Sequence, residues 1–342
     1  MKGLSRPAEL CEPLEDGAVR CRACAHECRI PEGGSGICRV RCNRGGRLFA
    51  PSGYVAGLQI DPIEKKPFFH VLPGSSAFSF GMLGCNFSCR FCQNWRTSQV
   101  LKDPLAGSPV LECEAGDLAV QARERGCPVV VSTYNEPLIS AEWAAEVFRR
   151  AKAEGLRCAF VSNGHATHPS LEYLRPLIDF YKVDLKCFDE DHYREVLGGK
   201  LSAVLRTIED LLSFGVWVEV VTLVVPGFND SDVELRMIAR FLSRLSRDLP
   251  WHVTAFHKDY RETRAGETSA RTLVRAAEIG AEEGLRFVYA GNRPGEVGAL
   301  ENTLCPSCRA VLIEREGYLV RANRLKHGAC PKCAAPVAGV WV

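Results

Sequence analysis

The stretch AFSFGMLGCNFSCRFCQNW (residues 77–95) runs from a short apolar segment straight into three cysteines, Cys85, Cys89 and Cys92. The apolar half reads as a buried β-strand, which leaves the cysteines at its C-terminal end. The same passage from apolar run to polar residues recurs along the chain. PVVV runs into STYNEP (128–137), CAFV into SNG (158–164), YKV into DLK (181–186), TLVV into PGFND (222–230) and VTAF into HKDY (253–260). Helical patterns lie between these runs. Leu235, Ile238, Ala239 and Leu242 fall on one apolar stripe, Ser231 and Glu234 form a capping-box pattern before it, and Gly155, Gly215 and Gly284 stop their helices. Repeated strand–helix alternation predicts a parallel sheet with helical crossovers, its strands apolar enough to be buried on both faces. Periodicity alone does not separate an open sheet from a full or partial barrel. In either architecture the chemistry sits at the C-terminal ends of the strands, where this chain offers Cys, Tyr, Asn, Glu, Asp, Lys and His.

Composition narrows the class. The chain has 342 residues, a formal net charge of +2 and 25% charged residues, so it carries no overall basic footprint for nucleic acid. It lacks an apolar run of about eighteen residues, and its first twenty or so residues have no apolar core of a signal peptide. No membrane span is expected, and a cytoplasmic location is. Seventeen cysteines then call for an explanation other than disulfides. Cys11, Cys113, Cys127, Cys158 and Cys187 are isolated and read as small buried or incidental thiols. The others are grouped.

Near the C-terminus, Cys305-Pro-Ser-Cys308 and Cys330-Pro-Lys-Cys333 are separated by 21 residues around a β-like GYLV. Paired C-x2-C knuckles at this spacing predict a zinc ribbon. Near the N-terminus, Cys21, Cys24, Cys28 and Cys38 lie in a Gly- and Arg-rich segment without helical or strand period, so a metal is expected to hold it. That metal is either zinc or a second iron–sulfur cluster, and His26 and Cys42 are alternative ligands. The expected organisation is an N-terminal Cys-rich segment (1–70), an α/β domain (71–298) and a C-terminal ribbon (299–342). Between head and domain, IEKKPFFH reads either as a lining of the site or as a packed linker with solvated lysines.

The central loop differs from both four-cysteine groups in having three thiols. Sulfurs at i, i+4 and i+7 can converge on one centre, and three ligands with an open position distinguish catalytic from closed structural sites. Soft thiolates select zinc, copper(I) or iron–sulfur. An iron–sulfur cluster held by three cysteines keeps one iron for a substrate or cofactor. A zinc site completed by a distant residue, or three unrelated thiols, remain open on spacing alone.

GCNFSCRFCQNW after a strand resembles the cluster loop of the radical S-adenosylmethionine (SAM) enzymes, C-x3-C-x-aromatic-C, with Phe91 as the aromatic residue. The resemblance implies a partial (β/α)6 TIM-like barrel and a [4Fe-4S] cluster on Cys85, Cys89 and Cys92. It also implies that SAM chelates the open iron and is reductively cleaved to a 5′-deoxyadenosyl radical, which abstracts hydrogen from a substrate. STYNEP resembles the family's Gly-Gly-Glu-Pro segment: Glu136 matches, while Tyr134 and Asn135 replace the glycines. SNG and DLK resemble segments of the activases of glycyl radical enzymes. By that likeness Asn163, Asp184, Lys186 and His257 join Tyr134, Asn135 and Glu136 as SAM-binding residues. Over nearly the whole chain the order of segments is similar to the radical SAM member of the AmmeMemoRadiSam system, grouped with pyruvate formate-lyase activating enzymes. This implies an oxidoreductase served by an electron donor such as flavodoxin or ferredoxin, with companion proteins of that system as partners. A glycyl radical enzyme activase acting on a partner protein and an iron–sulfur electron-transfer scaffold are the alternatives.

Overall fold

The computed structural model describes residues 3–342; the first two residues of the expected N-terminal segment lie outside it. It divides into two compact units that interleave along the chain. The first comprises Met1–Ile60, Ser76–Tyr181 and Glu190–Val216, and the second Asp61–Ser75, Lys182–Asp189 and Trp217–Val342.

In the first unit, strands β1 (Ser76–Gly81), β2 (Val129–Ser132) and β3 (Arg157–Ser162) alternate with helices α1 (Ala115–Glu124), α2 (Ala141–Ala153) and α3 (His168–Leu174). The strands are parallel and in register, Ala77 to Phe80 facing Val129 to Ser132, and those facing Arg157 to Phe160. Every residue of β2 is buried, as expected for a strand covered on both faces. Helix α2 turns Trp143, Ala144, Val147, Phe148 and Ala151 inward, each large side chain contributing roughly 1.5–3 kcal/mol by burial. Helix α3 begins with a reciprocal capping box between Thr167 and Ser170. Strand β4 (Phe180–Asp184) crosses the division between units, and helix α4 (Leu201–Ser213) completes the first.

The Cys-rich head has more regular structure than its sequence suggests. Ser5–Pro7, Arg47–Pro51 and Cys42–Arg44 form one three-stranded antiparallel sheet, and Cys11–Pro13, Val19–Cys21 and Arg29–Ile30 another. Strands of 2–5 residues are too short to display a period. A buried ion pair helps to hold them: Arg41 Nη1 and Nη2 donate to the Glu142 carboxylate at 2.7 Å each. Glu142 also accepts from the Glu9 and Leu10 amides at 3.2 and 3.1 Å.

In the second unit, β5 (Trp217–Val224), β6 (Trp251–Ala255) and β7 (Val288–Gly291) are again parallel, with α5 (Asp232–Leu245) and α6 (Ala270–Glu282) between them. Leu235, Ile238, Ala239 and Leu242 are the buried stripe of α5, and Ser231 accepts the Glu234 amide as N-cap. The Glu234 carboxylate itself reaches the Phe188 amide at 2.7 Å. The C-terminal segment forms an antiparallel sheet of β8 (Thr303–Leu304), β9 (Val311–Glu316) and β10 (Leu319–Asn323). Phe69, from the Asp61–Ser75 segment, packs with Phe287, Tyr289, Cys305, Leu312 and Ile313. The lysines of IEKKPFFH are not solvated as a pair. Lys66 is buried and donates to Asp61 at 2.6 Å, while Lys65 donates to the other Asp61 oxygen at 2.9 Å. Burial alone raises the Asp61 carboxyl, but the two ammonium groups outweigh it and hold it at about 2. Among the described residues no helix is long and apolar enough to cross a membrane.

Candidate active site

The cysteine loop leaves β1 through Gly81 and Gly84, and both positions require glycine. A Cβ on Gly81 would lie 2.5 Å from the Thr133 carbonyl oxygen. At Gly84, φ is +96°, and a Cβ would stand 2.8 Å from Val40. The loop is thus pressed against the strand end after β2 on one side and against the head on the other. Cys89 is buried, and Cys85 and Cys92 are half-buried. The Phe87 amide donates to Cys85 Sγ at 3.3 Å, and Cys92 Sγ lies 3.2 Å from Ser98 Oγ. The Phe87 ring stacks so closely on Gly199 that a Cβ there would come within 2.4 Å of it.

Glu136 joins the neighbouring strand ends. Its Oε1 accepts from the Leu138 amide at 3.0 Å and from Ser162 Oγ at 2.8 Å, and its Oε2 accepts from the Asn163 amide at 2.8 Å. The carboxylate expected to face a cofactor is therefore engaged by the chain and fixes the loops after β2 and β3. Asn163 continues the linkage by donating from Nδ2 to Asn86 Oδ1 at 2.8 Å. Asn135 Oδ1 accepts from the Met82 amide at 3.0 Å, and Tyr134 sits at φ +71°, a left-handed conformation rare for an aromatic residue. The left-handed backbone at Tyr134, where a glycine would be unstrained, carries a cost in backbone strain.

Several residues that the sequence reading did not assign to the cysteine loop lie near Cys85. Lys102 donates from Nζ to the Phe87 carbonyl at 2.9 Å. Burial pushes the Cys85 thiol far up, Glu136 adds to this, and the Lys102 ammonium opposes it. His26 Nε2 lies 3.2 Å from the Asn86 carbonyl, and its ring lies 4.6 Å from that of His165. Burial, with His26 and Lys200 adding, lowers His165 to about 3, so this ring is neutral. Asn86 was legible as part of the loop motif. Lys102 and His165 come from distant segments and left no spacing signal, and His26, read as an alternative ligand in the head, stands against Asn86 of the loop.

In the second unit, Asp184 accepts from Lys182 Nζ and, at 3.2 Å, from Lys186 Nζ. Burial alone raises the Asp184 carboxyl, but these two ammonium groups hold it below its ordinary range. The Lys186 carbonyl accepts from Asn229 Nδ2 at 2.6 Å. His257, exposed beyond β6, places Nδ1 3.3 Å from the Lys258 carbonyl.

The C-terminal thiols are drawn together. Cys305 and Cys333 sulfurs are 3.6 Å apart, Cys308 and Cys330 3.7 Å, and all four lie within 4.8 Å of one another. Metal–sulfur bonds of about 2.3 Å in a tetrahedron place sulfurs about 3.8 Å apart, so this group has the dimensions of a single-ion site. Backbone amides of Cys308 and Lys332 donate to Cys305 and Cys330 sulfurs, each at 3.4 Å. Among the described residues, neither the loop thiols nor the head thiols are gathered to that separation. Three soft donors on one loop, an amide pointing at Cys85 Sγ and the nearby Lys102 charge fit an anionic iron–sulfur group, which is larger than an ion.

Comparison with known proteins agrees with this chemistry. The radical SAM superfamily model matches residues 81–238. An uncharacterized protein of Methanocaldococcus jannaschii is 39% identical over 320 residues, covering 93% of each chain. Pyruvate formate-lyase 1-activating enzyme of Escherichia coli is 22% identical, covering 54% of this chain and 78% of that one. SuiB of Streptococcus suis, solved bound to S-adenosylmethionine, has a similar fold, with a TM-score of 0.50, 13% identity and coverage of 66% of this chain and 52% of that one. Parallel strands, a three-cysteine loop at the end of β1 and the family match lead to one assignment: residues 81–238 are a radical SAM domain.

Proposed function

We propose that Cys85, Cys89 and Cys92 are the thiolates that hold the [4Fe-4S] cluster implied by membership of this superfamily, with SAM as the fourth ligand. When bound, the cluster supplies the single electron that cleaves SAM to methionine and a 5′-deoxyadenosyl radical, the species that takes hydrogen from a substrate. The chain's own residues prepare for this. The Phe87 amide directs a hydrogen bond at Cys85 Sγ, and Lys102 offsets thiolate charge as the buried cysteines lose their protons. Glu136 and Asn163 are positioning residues: through Asn86 they fix the cysteine loop against the ends of β2 and β3. The observation that carries the reading is this hydrogen-bonded frame around a loop of three thiols at a strand's C-terminal end.

Asp184, Lys186 and His257 belong to the reading through resemblance, with Lys186 as the ammonium for a carboxylate. A partial (β/α)6 barrel, a zinc ion on Cys305, Cys308, Cys330 and Cys333, an oxidoreductase class, a flavodoxin- or ferredoxin-like donor and AmmeMemoRadiSam companions complete it. The likeness to an activating enzyme supports a second reading, in which the hydrogen comes from a glycyl residue of a partner protein.

The test is anaerobic reconstitution with iron and sulfide, then addition of SAM and dithionite. 5′-Deoxyadenosine should form, and SAM should change the spectrum of the reduced cluster. Cys89→Ala should abolish both while the tail keeps its metal, and Lys186→Met should raise the SAM concentration required. A wild-type protein with neither turnover nor a SAM-dependent spectrum sinks the proposal.

A further inference from the structure

Cys11 stands apart from every cysteine group in the sequence, yet the fold sets it opposite a member of the head group. Strands Cys11–Pro13 and Val19–Cys21 run antiparallel, and their register pairs Cys11 with Cys21, Glu12 with Arg20 and Pro13 with Val19. On either side of these pairs, the Arg22 amide donates to the Leu10 carbonyl and the Leu14 amide to the Ala18 carbonyl, each at 2.9 Å. Hydrogen-bonded and non-hydrogen-bonded pairs alternate along an antiparallel ladder. Counting inward from Leu10 and Arg22, Cys11 and Cys21 are a non-hydrogen-bonded pair. Their amides agree with this, turning away to the Glu9 and Cys28 carbonyls at 2.9 Å each.

Residues opposed in this way have Cα atoms about 4.5 Å apart and side chains on one face of the ladder. A disulfide spans Cα separations of about 4.4–6.8 Å, so the two sulfurs can join without the strands parting. Cys11 is half-buried, and its Sγ donates to the Ala8 carbonyl at 3.3 Å. Cys21 is 5% exposed. Both sulfurs lie near the buried Arg41 guanidinium. An outer thiol that solvent reaches and an inner one that it does not are the arrangement of an attacking and a resolving cysteine.

We propose that Cys11 and Cys21 are a reversible redox pair, closed to a disulfide by a low-molecular-weight disulfide such as oxidised glutathione. The Cys11 thiolate attacks one sulfur of the oxidant and releases its first half as a thiol, which leaves a mixed disulfide on Cys11. The Cys21 thiolate then attacks the Cys11 sulfur and releases the second half. The two protein thiols lose two electrons and two protons, one S–S bond forms, and the oxidant's S–S bond is reduced to two thiols. Once joined to Cys11, Cys21 cannot serve with Cys24, Cys28 and Cys38, so the disulfide and a metal held through Cys21 exclude each other. The pair also sits on the segment that leads to the candidate site. Just after Cys21, the Arg22 carbonyl accepts from Thr167 Oγ1, the Ala25 amide donates to the His165 carbonyl at 3.0 Å, and His26 Nε2 lies 3.2 Å from the Asn86 carbonyl. The pair stands whether or not the cysteine loop carries a cluster.

The test exposes the native full chain to oxidised glutathione under nitrogen, once directly and once after treatment with a metal chelator. Remaining thiols are alkylated, and peptides are mapped by mass spectrometry without reduction. A peptide joining Cys11 to Cys21 should appear, disappear on treatment with dithiothreitol, and be missing from Cys11→Ser. A link formed in the untreated protein supports the pair. A link formed only after chelation also supports it and shows that a metal on Cys21 competes with the disulfide. Cys11 that stops at the glutathione mixed disulfide in both arms, Cys11 that does not react in either, or Cys21 joined instead to Cys24, Cys28 or Cys38 overturns the inference. Should Cys11→Ser fold poorly, the wild-type map decides by itself, because the linked peptide is read in the unaltered chain. Formation of 5′-deoxyadenosine is not the readout, so failure of the radical SAM reading would leave this result untouched.

Discussion

Cys305, Cys308, Cys330 and Cys333 are brought together by two local turns, whereas Cys21, Cys24, Cys28 and Cys38 depend on residues a hundred positions away. In the tail, each C-x2-C knuckle is closed by its own amide–sulfur bond, and left-handed Arg309 and Ala334 complete the turns. In the head, Arg41 reaches Glu142 across 101 residues, and Gly84 admits Val40 only because it has no side chain. The same residue type thus occurs in one group whose knuckles local turns shape and in a segment that distant residues hold in place.

This difference can be broken from either side. Cys308→Ser should have the largest effect and confine it to the tail. Structural zinc contributes on the order of 10 kcal/mol to folding such a module, so metal analysis should show one zinc lost and proteolysis should cut within residues 303–342. The iron content of the reconstituted protein should not change. Glu142→Ala should act on the other region alone. Leaving the Arg41 charge buried without its partner costs about 3–5 kcal/mol, read as a lower denaturation midpoint, and the head strands should lose amide-exchange protection first while tail zinc is retained. A smaller effect is expected from Gly84→Ala, where a left-handed backbone and a contact at 2.8 Å cost about 1–3 kcal/mol. Here urea unfolding should report the loss, and the loop's iron content should fall before the tail's zinc.

The smallest effect is on pH dependence and belongs to the second unit. Asp61 is held at about 2 against an ordinary 3.8 by Lys65 and Lys66, after burial has pulled the other way. Its folded value is depressed, so its contribution to stability is complete above about pH 4 and is lost as pH falls towards about 2. Thermal unfolding of wild type and Asp61→Asn should converge across that window. Midpoints that stay equally separated from pH 5 down to about pH 2 would show that the pair contributes nothing.

Much of the fold was legible because it is written in short-range pattern. The run Val129–Ser132 is apolar throughout and buried throughout, and the stripe Leu235, Ile238, Ala239 and Leu242 is the face that α5 buries. The Ser231 cap needed only its own helix. The Glu234 carboxylate, paired with Phe188 in space, could not be read from that helix. The head was read as irregular because strands of a few residues carry no period. Lys65 and Lys66 were read with solvent as one alternative because a sequence does not reveal that Asp61 pairs with both and that Lys66 is buried.

The candidate site divides in the same way. Cysteine spacing by itself marked Cys305, Cys308, Cys330 and Cys333 as one group, which the structure gathers, because a metal selects ligands by type and by the reach of a few residues. It also placed the three-cysteine loop after a strand, since apolar runs and glycine stops are local. Only the tertiary structure decided that Glu136 spends its oxygens on the chain, that Lys102 stands near Cys85 and that Asn86 joins head and loop. Those facts rest on desolvation and hydrogen-bond geometry between segments far apart in sequence, which no spacing records.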